Sequence, residues 1–348
     1  MIRVLIVDDS ALIRRILTDI LQSDDEIKVI GTAKDGKDAL EKIEILKPDI
    51  VTLDVEMPLM DGLTTLKLIV AKYEIPVIMI SSLTQEGADL TLRALDEGAV
   101  DFLPKPTNVF NLGQKDSKLE IIEKVKAGAK CKLSSTQPIK RVGAIKVSKR
   151  DFKVLEKGFS NIVAIGTSTG GPRALQTLVP QIPSNINASI VIVQHMPPKF
   201  TKSLADRLDS ISNIRIKEAE DGDIIQRGNG YIAPGDYHLT LVKENNNLVI
   251  RLNQEPQVMG LRPTVDIMMR SIAKISGYSK IGVILTGMGS DGMIGIKEIK
   301  ESGGYTIAQD EYTSVVFGMP KAAIATNCID EVLPIESIGD KIISKVGM

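Results

Sequence analysis

Three residues whose types could together transfer an acyl group sit at the ends of apolar runs. Ser168 lies in "GTSTG" (166–170), directly after the run "NIVAIGT". A serine hydroxyl is a weak nucleophile until a base takes its proton and an acid orients that base. The chain has two histidines. His195 closes "ASIVIVQH", the next apolar run, and His238 lies in "PGDYHLTL". Asp291 lies in the Gly-rich exit "VILTGMGSDG" of a later run. Ser168 is the candidate nucleophile, His195 the base and Asp291 the orienting acid. Each residue taken singly also has a structural reading: a tight turn, a histidine ending a strand, a helix-capping aspartate. His238 reads as structural or surface.

The glycines around Ser168 exclude two phosphate-binding readings. A dinucleotide fingerprint wants G-x-G-x-x-G, but here the glycines are Gly166, Gly170 and Gly171. A Walker loop needs G-K-[S/T], which "GGPR" lacks. G-x-S-x-G between a strand and a helix remains: the turn lifts the hydroxyl above the sheet, and the helix start offers N–H groups to an oxyanion. The chain order Ser, His, Asp differs from the Ser, Asp, His of α/β-hydrolases.

A second constellation is acidic. Asp8 and Asp9 follow the first apolar run and Asp54 ends the third. Carboxylates brought together repel and call for a cation, and hard oxygen ligands suit Mg²⁺. Ser81 and Lys105 end later runs. A hydroxyl and an ammonium are the partners a phosphoryl group on Asp54 would need.

The positioning elements are legible as a beat. Runs at 2–7, 28–33, 49–54, 76–81 and 100–105 alternate with helical stretches such as "SALIRRILTDILQ". There Leu12/Ile13, Ile16/Leu17 and Ile20/Leu21 recur at helical spacing. Nearly all-apolar strands alternating with helices imply a parallel sheet covered on both faces, with ligands at the strands' carboxyl ends. The segment 111–130 reads as a last helix. "CKLSSTQPIKRVGAIKVSKRDFK" reads as a solvated interdomain linker. A second α/β pattern starts near 161, with turn-rich alternation over 222–252 that predicts inserted β-hairpins. The boundaries expected are 1–126, 127–158 and 159–348.

At 348 residues two domains are expected. A net charge of −1 gives no global signal for nucleic acid or anionic membrane, and 3% aromatic residues without Trp argue against a base-stacking platform. Two distant cysteines make neither a disulfide framework nor a zinc site. No run approaches the about 18 apolar residues of a membrane span, and the N-terminus is too acidic for a signal peptide. A cytoplasmic, monomeric protein is expected.

"VDDS", "LDVEMPLMDG", "PVIMISS" and "DFLPKP" resemble a response-regulator receiver domain in order and register. The resemblance implies a flavodoxin-like fold with a five-stranded parallel sheet, and a sensor histidine kinase as phosphodonor to Asp54. It implies Mg²⁺ on Asp9, Asp54 and the Glu56 carbonyl, with Asp8 helping through water. Ser81 becomes the switch hydroxyl, Phe102 the switch aromatic (where many receivers have Tyr) and Lys105 the phosphate partner.

"IGTSTGGPRAL", "VQHMPPKFT", "YIAPGDYHL", "LRPTVD" and "LTGMGSDGMIG" resemble the CheB family of chemotaxis protein-glutamate methylesterases. The implied fold is a doubly wound α/β domain. The implied triad is Ser168, His195 and Asp291, with Thr169 and the Met288 N–H shaping the oxyanion site. The implied substrates are glutamyl methyl esters and glutamines of chemoreceptors. Chemotaxis adaptation is the implied role, and no metal is expected at the serine. A covering of the catalytic mouth by the receiver, loosened on phosphorylation, would explain regulation. Two rival readings are a binding-only output domain, which would survive Ser168→Ala, and a hydrolase of small esters. A DNA-binding output lacks a basic recognition helix.

Overall fold

The computed structural model describes residues 1–105, 115–131 and 158–347. The chain divides into two compact units, one on either side of 132–157. Most of the linker expected at 127–158 therefore lies outside the described residues.

The first unit is built from β1 (Ile2–Val7), α1 (Ala11–Leu21), β2 (Ile27–Ala33), α2 (Gly36–Leu46), β3 (Ile50–Asp54), α3 (Gly62–Tyr73), β4 (Val77–Ser81), α4 (Gln85–Asp96), β5 (Asp101–Pro104) and α5 (Lys115–Ala129). Short polar side chains open four of the helices. Ser10, Asp35, Asp61 and Thr84 each accept an N–H of the first turn that the helix itself leaves unpaired. The strands pair in parallel in the order β2-β1-β3-β4-β5. β3 and β4 are buried along their whole length, as helices on both faces require. On α1 the buried stripe is Leu17, Ile20 and Leu21. Leu12, expected on that face, is 60% exposed because it lies in the first turn at the stripe's edge. α5 runs to Ala129, slightly past the expected boundary at 126.

The second unit contains β6 (Asn161–Thr167), α6 (Gly171–Leu178), β7 (Ala188–Gln194), α7 (Phe200–Ile211), β8 (Arg215–Glu218), β9 (Asn229–Ile232), β10 (His238–Glu244), β11 (Asn247–Asn253), α8 (Val265–Ala273), β12 (Ser279–Ile284), α9 (Met293–Glu301), β13 (Tyr305–Gln309), α10 (Met319–Ile324), β14 (Glu331–Leu333) and α11 (Ile335–Val346). Seven strands pair in parallel in the order β14-β13-β12-β6-β7-β9-β8. β6 and β7 are buried at every residue, and each buried Ile or Val there contributes about 1.5–3 kcal/mol. The turn-rich middle forms one hairpin rather than several. β10 and β11 pair antiparallel around Asn245–Asn246, both at positive φ, which suits a tight turn between twisted strands. The neighbouring "NGYI" is β9, a parallel strand of the main sheet.

In both sheets the strand order reverses beside a central strand. β1 lies between β2 and β3, and β6 lies between β7 and β12. Crevices at the carboxyl ends of strands open at such reversals, and both candidate constellations stand there. No helix among the described residues is long and apolar enough to cross a membrane.

Candidate functional site

Ser168 directly follows the central strand β6. The turn holding it is pinned to the residue after β12's exit. Ser168 N–H and the Thr167 hydroxyl both donate to the Thr286 carbonyl, at 3.1 and 2.9 Å. The Thr286 hydroxyl donates onward to the Thr169 carbonyl at 2.9 Å. Gly170 adopts φ 78°, the left-handed conformation that a side chain disfavours, and from there the chain enters α6. Gly166 leaves room for a neighbour: a Cβ there would stand 2.2 Å from Val265 Cγ1. The Ser168 carbonyl accepts from Gly171 N–H at 2.8 Å.

His195 directly follows β7, where the register pairs Thr167 with Gln194. Its N–H donates to the Thr167 carbonyl at 3.2 Å, and its Nε2 meets Asp291 Oδ2 at 2.7 Å. Asp291 is buried in the turn after β12. Its Oδ2 also accepts Val265 N–H at 2.7 Å, and its Oδ1 accepts Asp266 N–H at 3.0 Å and Gly292 N–H at 2.9 Å. One carboxylate thus caps the start of α8 and orients the imidazole. Burial pushes the Asp291 pKa up. The hydrogen bond and charge of His195, with the backbone N–H groups, outweigh that and hold the carboxyl below its ordinary range.

The remaining expected residues lie on the same rim. Thr169 is buried, and its Oγ1 has no hydrogen-bond partner among the described residues. Met288 is half-buried in the Gly-rich turn after β12. Ser168 N–H is already held by the Thr286 carbonyl and so is not free to donate into the site. His238 is fully buried at the start of β10, and its Nε2 donates to the Pro256 carbonyl at 3.2 Å. Sequence reasoning missed Thr286, Gln194 and the N–H pair of Val265 and Asp266. Each acts on or through backbone groups, and no residue type advertises such partners.

In the first unit, Asp8, Asp9 and Asp54 offer carboxylate oxygens within 4.8 Å of one another. Lys105 Nζ bonds Asp54 Oδ2 at 2.7 Å and lies 3.8 Å from Asp8 Oδ2. Glu56 N–H donates to Asp54 Oδ1 at 3.2 Å. Burial, and then the neighbouring Asp8 charge, push the Asp54 pKa up to about 6 against the pull of Lys105. Burial also raises Asp8, whose Oδ2 has no hydrogen-bond partner among the described residues. An orphaned buried oxygen beside two more carboxylates fits a divalent cation. Ser81 Oγ donates to the Gly87 carbonyl at 3.1 Å, and Thr91 Oγ1 donates to that carbonyl at 2.7 Å. Phe102 is buried on β5 beneath Lys124, whose Nζ lies 5.4 Å from the ring centroid. Arg14, not singled out in the sequence, donates to the Asp8 and Asp9 carbonyls at 2.7 and 3.0 Å.

The sequence pattern of the CheB methylesterase family matches residues 163–342, and that of the response regulator receiver domain matches residues 4–115. The chain belongs to the CheB methylesterase family. It is a hydrolase joined to a receiver domain. A protein-glutamate methylesterase/protein-glutamine glutaminase of Pyrococcus abyssi is 49% identical over 348 residues, covering 100% of this chain and 94% of the relative. One of the same description from Bacillus subtilis is 44% identical over 352 residues, covering 99% of each. The CheB methylesterase catalytic domain of Thermotoga maritima superposes with a TM-score of 0.53 at 48% identity, covering 54% of this chain and all of that one.

Proposed function

We propose that the second unit hydrolyses γ-glutamyl methyl esters on chemoreceptors, deamidates receptor glutamines by the same route, and is controlled through phosphorylation of Asp54. The observation carrying the reading is the 2.7 Å bond between His195 Nε2 and an Asp291 carboxylate fixed by three backbone N–H groups, beside the Ser168 turn.

With Nε2 on Asp291, Nδ1 of His195 is the nitrogen that takes the Ser168 proton. Ser168 Oγ then attacks the ester carbonyl, and backbone amides, with Met288 N–H the leading candidate, hold the oxyanion. Each such donor typically supplies about 3–4 kcal/mol. The imidazolium returns its proton to the departing methanol, leaving an acyl-serine. Water attacks that ester with His195 again as base, giving glutamate and restoring the Ser168 hydroxyl. With a glutamine substrate the leaving group is ammonia. Asp291 keeps the imidazole in one tautomer and stabilises its charged form.

In the receiver, a phosphohistidine of a sensor kinase donates its phosphoryl group to an Asp54 oxygen. Asp9, Asp54 and the Glu56 carbonyl, with Asp8 behind them, would hold Mg²⁺, which neutralises charge in that transfer. Lys105 pairs with the new phosphoryl oxygens, and Ser81 turns its hydroxyl from Gly87 toward them. The Gly87 carbonyl keeps Thr91 as a donor, so the change leaves no acceptor bare. The protein acts in the cytoplasm, where receptor signalling helices and kinase are within reach.

The test is methanol release from methylated chemoreceptor membranes by the full chain, with and without Mg²⁺ and a small phosphodonor. Release should require Ser168 and rise with the phosphodonor. Release by Ser168→Ala, or none by the wild type, would overturn the esterase reading. Indifference to the phosphodonor would remove the switch alone.

A further inference from the structure

Gln194 ends β7 and is 2% exposed. Its Nε2 donates to two carbonyls, those of Ser168 at 3.0 Å and His195 at 3.2 Å. These belong to the proposed nucleophile and base themselves. We propose that Gln194 is a positioning residue: one buried amide nitrogen that ties the backbone of Ser168 to the backbone of His195 and so sets the distance between hydroxyl and imidazole.

The inference rests on the acyl-transfer reading of that site, and two further observations support it. Gln194 Oε1 is buried with no hydrogen-bond partner among the described residues. An unpaired buried acceptor is unfavourable, and an apolar side chain of the same length would avoid it. The orphaned oxygen offsets part of what the two donated bonds contribute to stability, and those bonds hold two particular carbonyls that no apolar group can hold. The chain also leaves space for this side chain. A Cβ on Gly171 would stand 2.0 Å from Gln194 Oε1 and 2.3 Å from Thr167 Oγ1. The glycine that opens α6 thus admits the amide into the turn it braces. Each tethered carbonyl belongs to the residue whose side chain reacts, so a shift of either backbone moves a reacting atom directly.

The experiment compares full-length wild type, Ser168→Ala, Gln194→Met and Gln194→Glu in methanol release from methylated receptor membranes, with thermal midpoints for each. Gln194→Met removes two donated bonds and should lower its midpoint by about 2–8 °C while still folding. Its kcat should fall about 10–100-fold with KM held within about twofold, since misplacement acts on the reacting geometry rather than on substrate binding. Gln194→Glu points a carboxylate at two carbonyl oxygens and should be slower still near pH 8. On acidification toward about pH 5 its protonated form regains a donor, so its rate relative to Gln194→Met should climb. A purely structural role would lower folding stability alone and leave that ratio flat. A Gln194→Met kcat within twofold of wild type, or a flat ratio, overturns the proposal. Should Gln194→Met fail to fold, the Gln194→Glu rate relative to wild type across the same pH range decides the matter. A wild type without Ser168-dependent release would instead refute the acyl-transfer reading.

Discussion

Asp291 Oδ2 accepts Val265 N–H at 2.7 Å, and the same oxygen meets His195 Nε2 at 2.7 Å. The start of α8 and the proposed general base therefore share one acceptor. Asp291→Asn cannot serve both. Its amide nitrogen must face either His195 and Val265 or the N–H groups of Asp266 and Gly292, a donor against donors in each case. The expected loss is about 10³–10⁴-fold in kcat, with about 1–3 kcal/mol of stability from the disturbed cap. A variant retaining a tenth of wild-type kcat would show that the carboxylate does not orient the base.

The pH dependence of that cap has a definite sign. The Asp291 pKa is lower in the fold than the ordinary 3.8. Its contribution is therefore complete above 3.8 and is lost as pH falls through the folded value. The stability gap between wild type and Asp291→Asn should be constant near neutrality and close in strong acid, as read by denaturant melts at a series of pH values. A gap that widens on acidification would contradict the assignment.

Thr286 supports the nucleophile turn through both its backbone and its side chain. Its carbonyl holds Ser168 N–H, and its hydroxyl donates to Thr169 O and accepts Val316 N–H at 3.0 Å. Thr286→Val removes the hydroxyl at nearly constant volume. Stability should drop about 1–2 kcal/mol, and kcat should fall as the turn loosens. Thr286→Ser should restore most of both. Equal damage from the two variants would mean that the methyl group, not the hydroxyl, matters.

Much of this was legible because chemistry-bearing residues sit at strand ends. Alternating apolar runs revealed two parallel sheets. A serine, a histidine and an aspartate at three exits then fall on one rim, since the sheet places β7 and β12 on either side of β6. The hairpin count was harder to see. "NGYI" has only four residues, and its pairing with β7 and β8 is fixed by distant chain, not by local pattern. Leu12 misled because helical spacing defines a stripe but not its edge. Thr286 and Gln194 stayed silent because a buried threonine or glutamine looks like any polar strand residue until its backbone partners are known.

The acidic pocket should respond to Mg²⁺ in a pH-dependent way. Asp54 titrates at about 6 in the fold against 3.8 ordinarily, so the folded receiver holds a proton that the unfolded chain releases between those values. Its stability must fall as pH rises through that window, and the deficit stays above it. Mg²⁺ held by the ionised carboxylates would oppose the deficit. In calorimetry of the full chain, the transition that Asp54→Asn alters should rise with Mg²⁺ at neutral pH and barely move near pH 4. EDTA should reverse the rise. A Mg²⁺ effect equal at both pH values, or undiminished in Asp54→Asn, would place the ion elsewhere.

The last expectation concerns Ser81. Its hydroxyl and that of Thr91 both donate to the Gly87 carbonyl, at 3.1 and 2.7 Å. A carbonyl has two lone pairs, so losing one donor leaves the other in place. Ser81→Ala should cost under about 1 kcal/mol in the unphosphorylated protein, because no buried acceptor is stranded. Removing Thr91 Oγ1 as well strands it, so Ser81→Ala/Thr91→Val should lose more than the sum of the single changes. Activation behaves differently. Without the Ser81 hydroxyl the proposed Asp54 phosphoryl group would lack its partner on β4, and the phosphodonor-dependent rise in methanol release should largely vanish while basal release persists. Activation that survives Ser81→Ala undiminished would mean that the phosphoryl group signals through Lys105 alone.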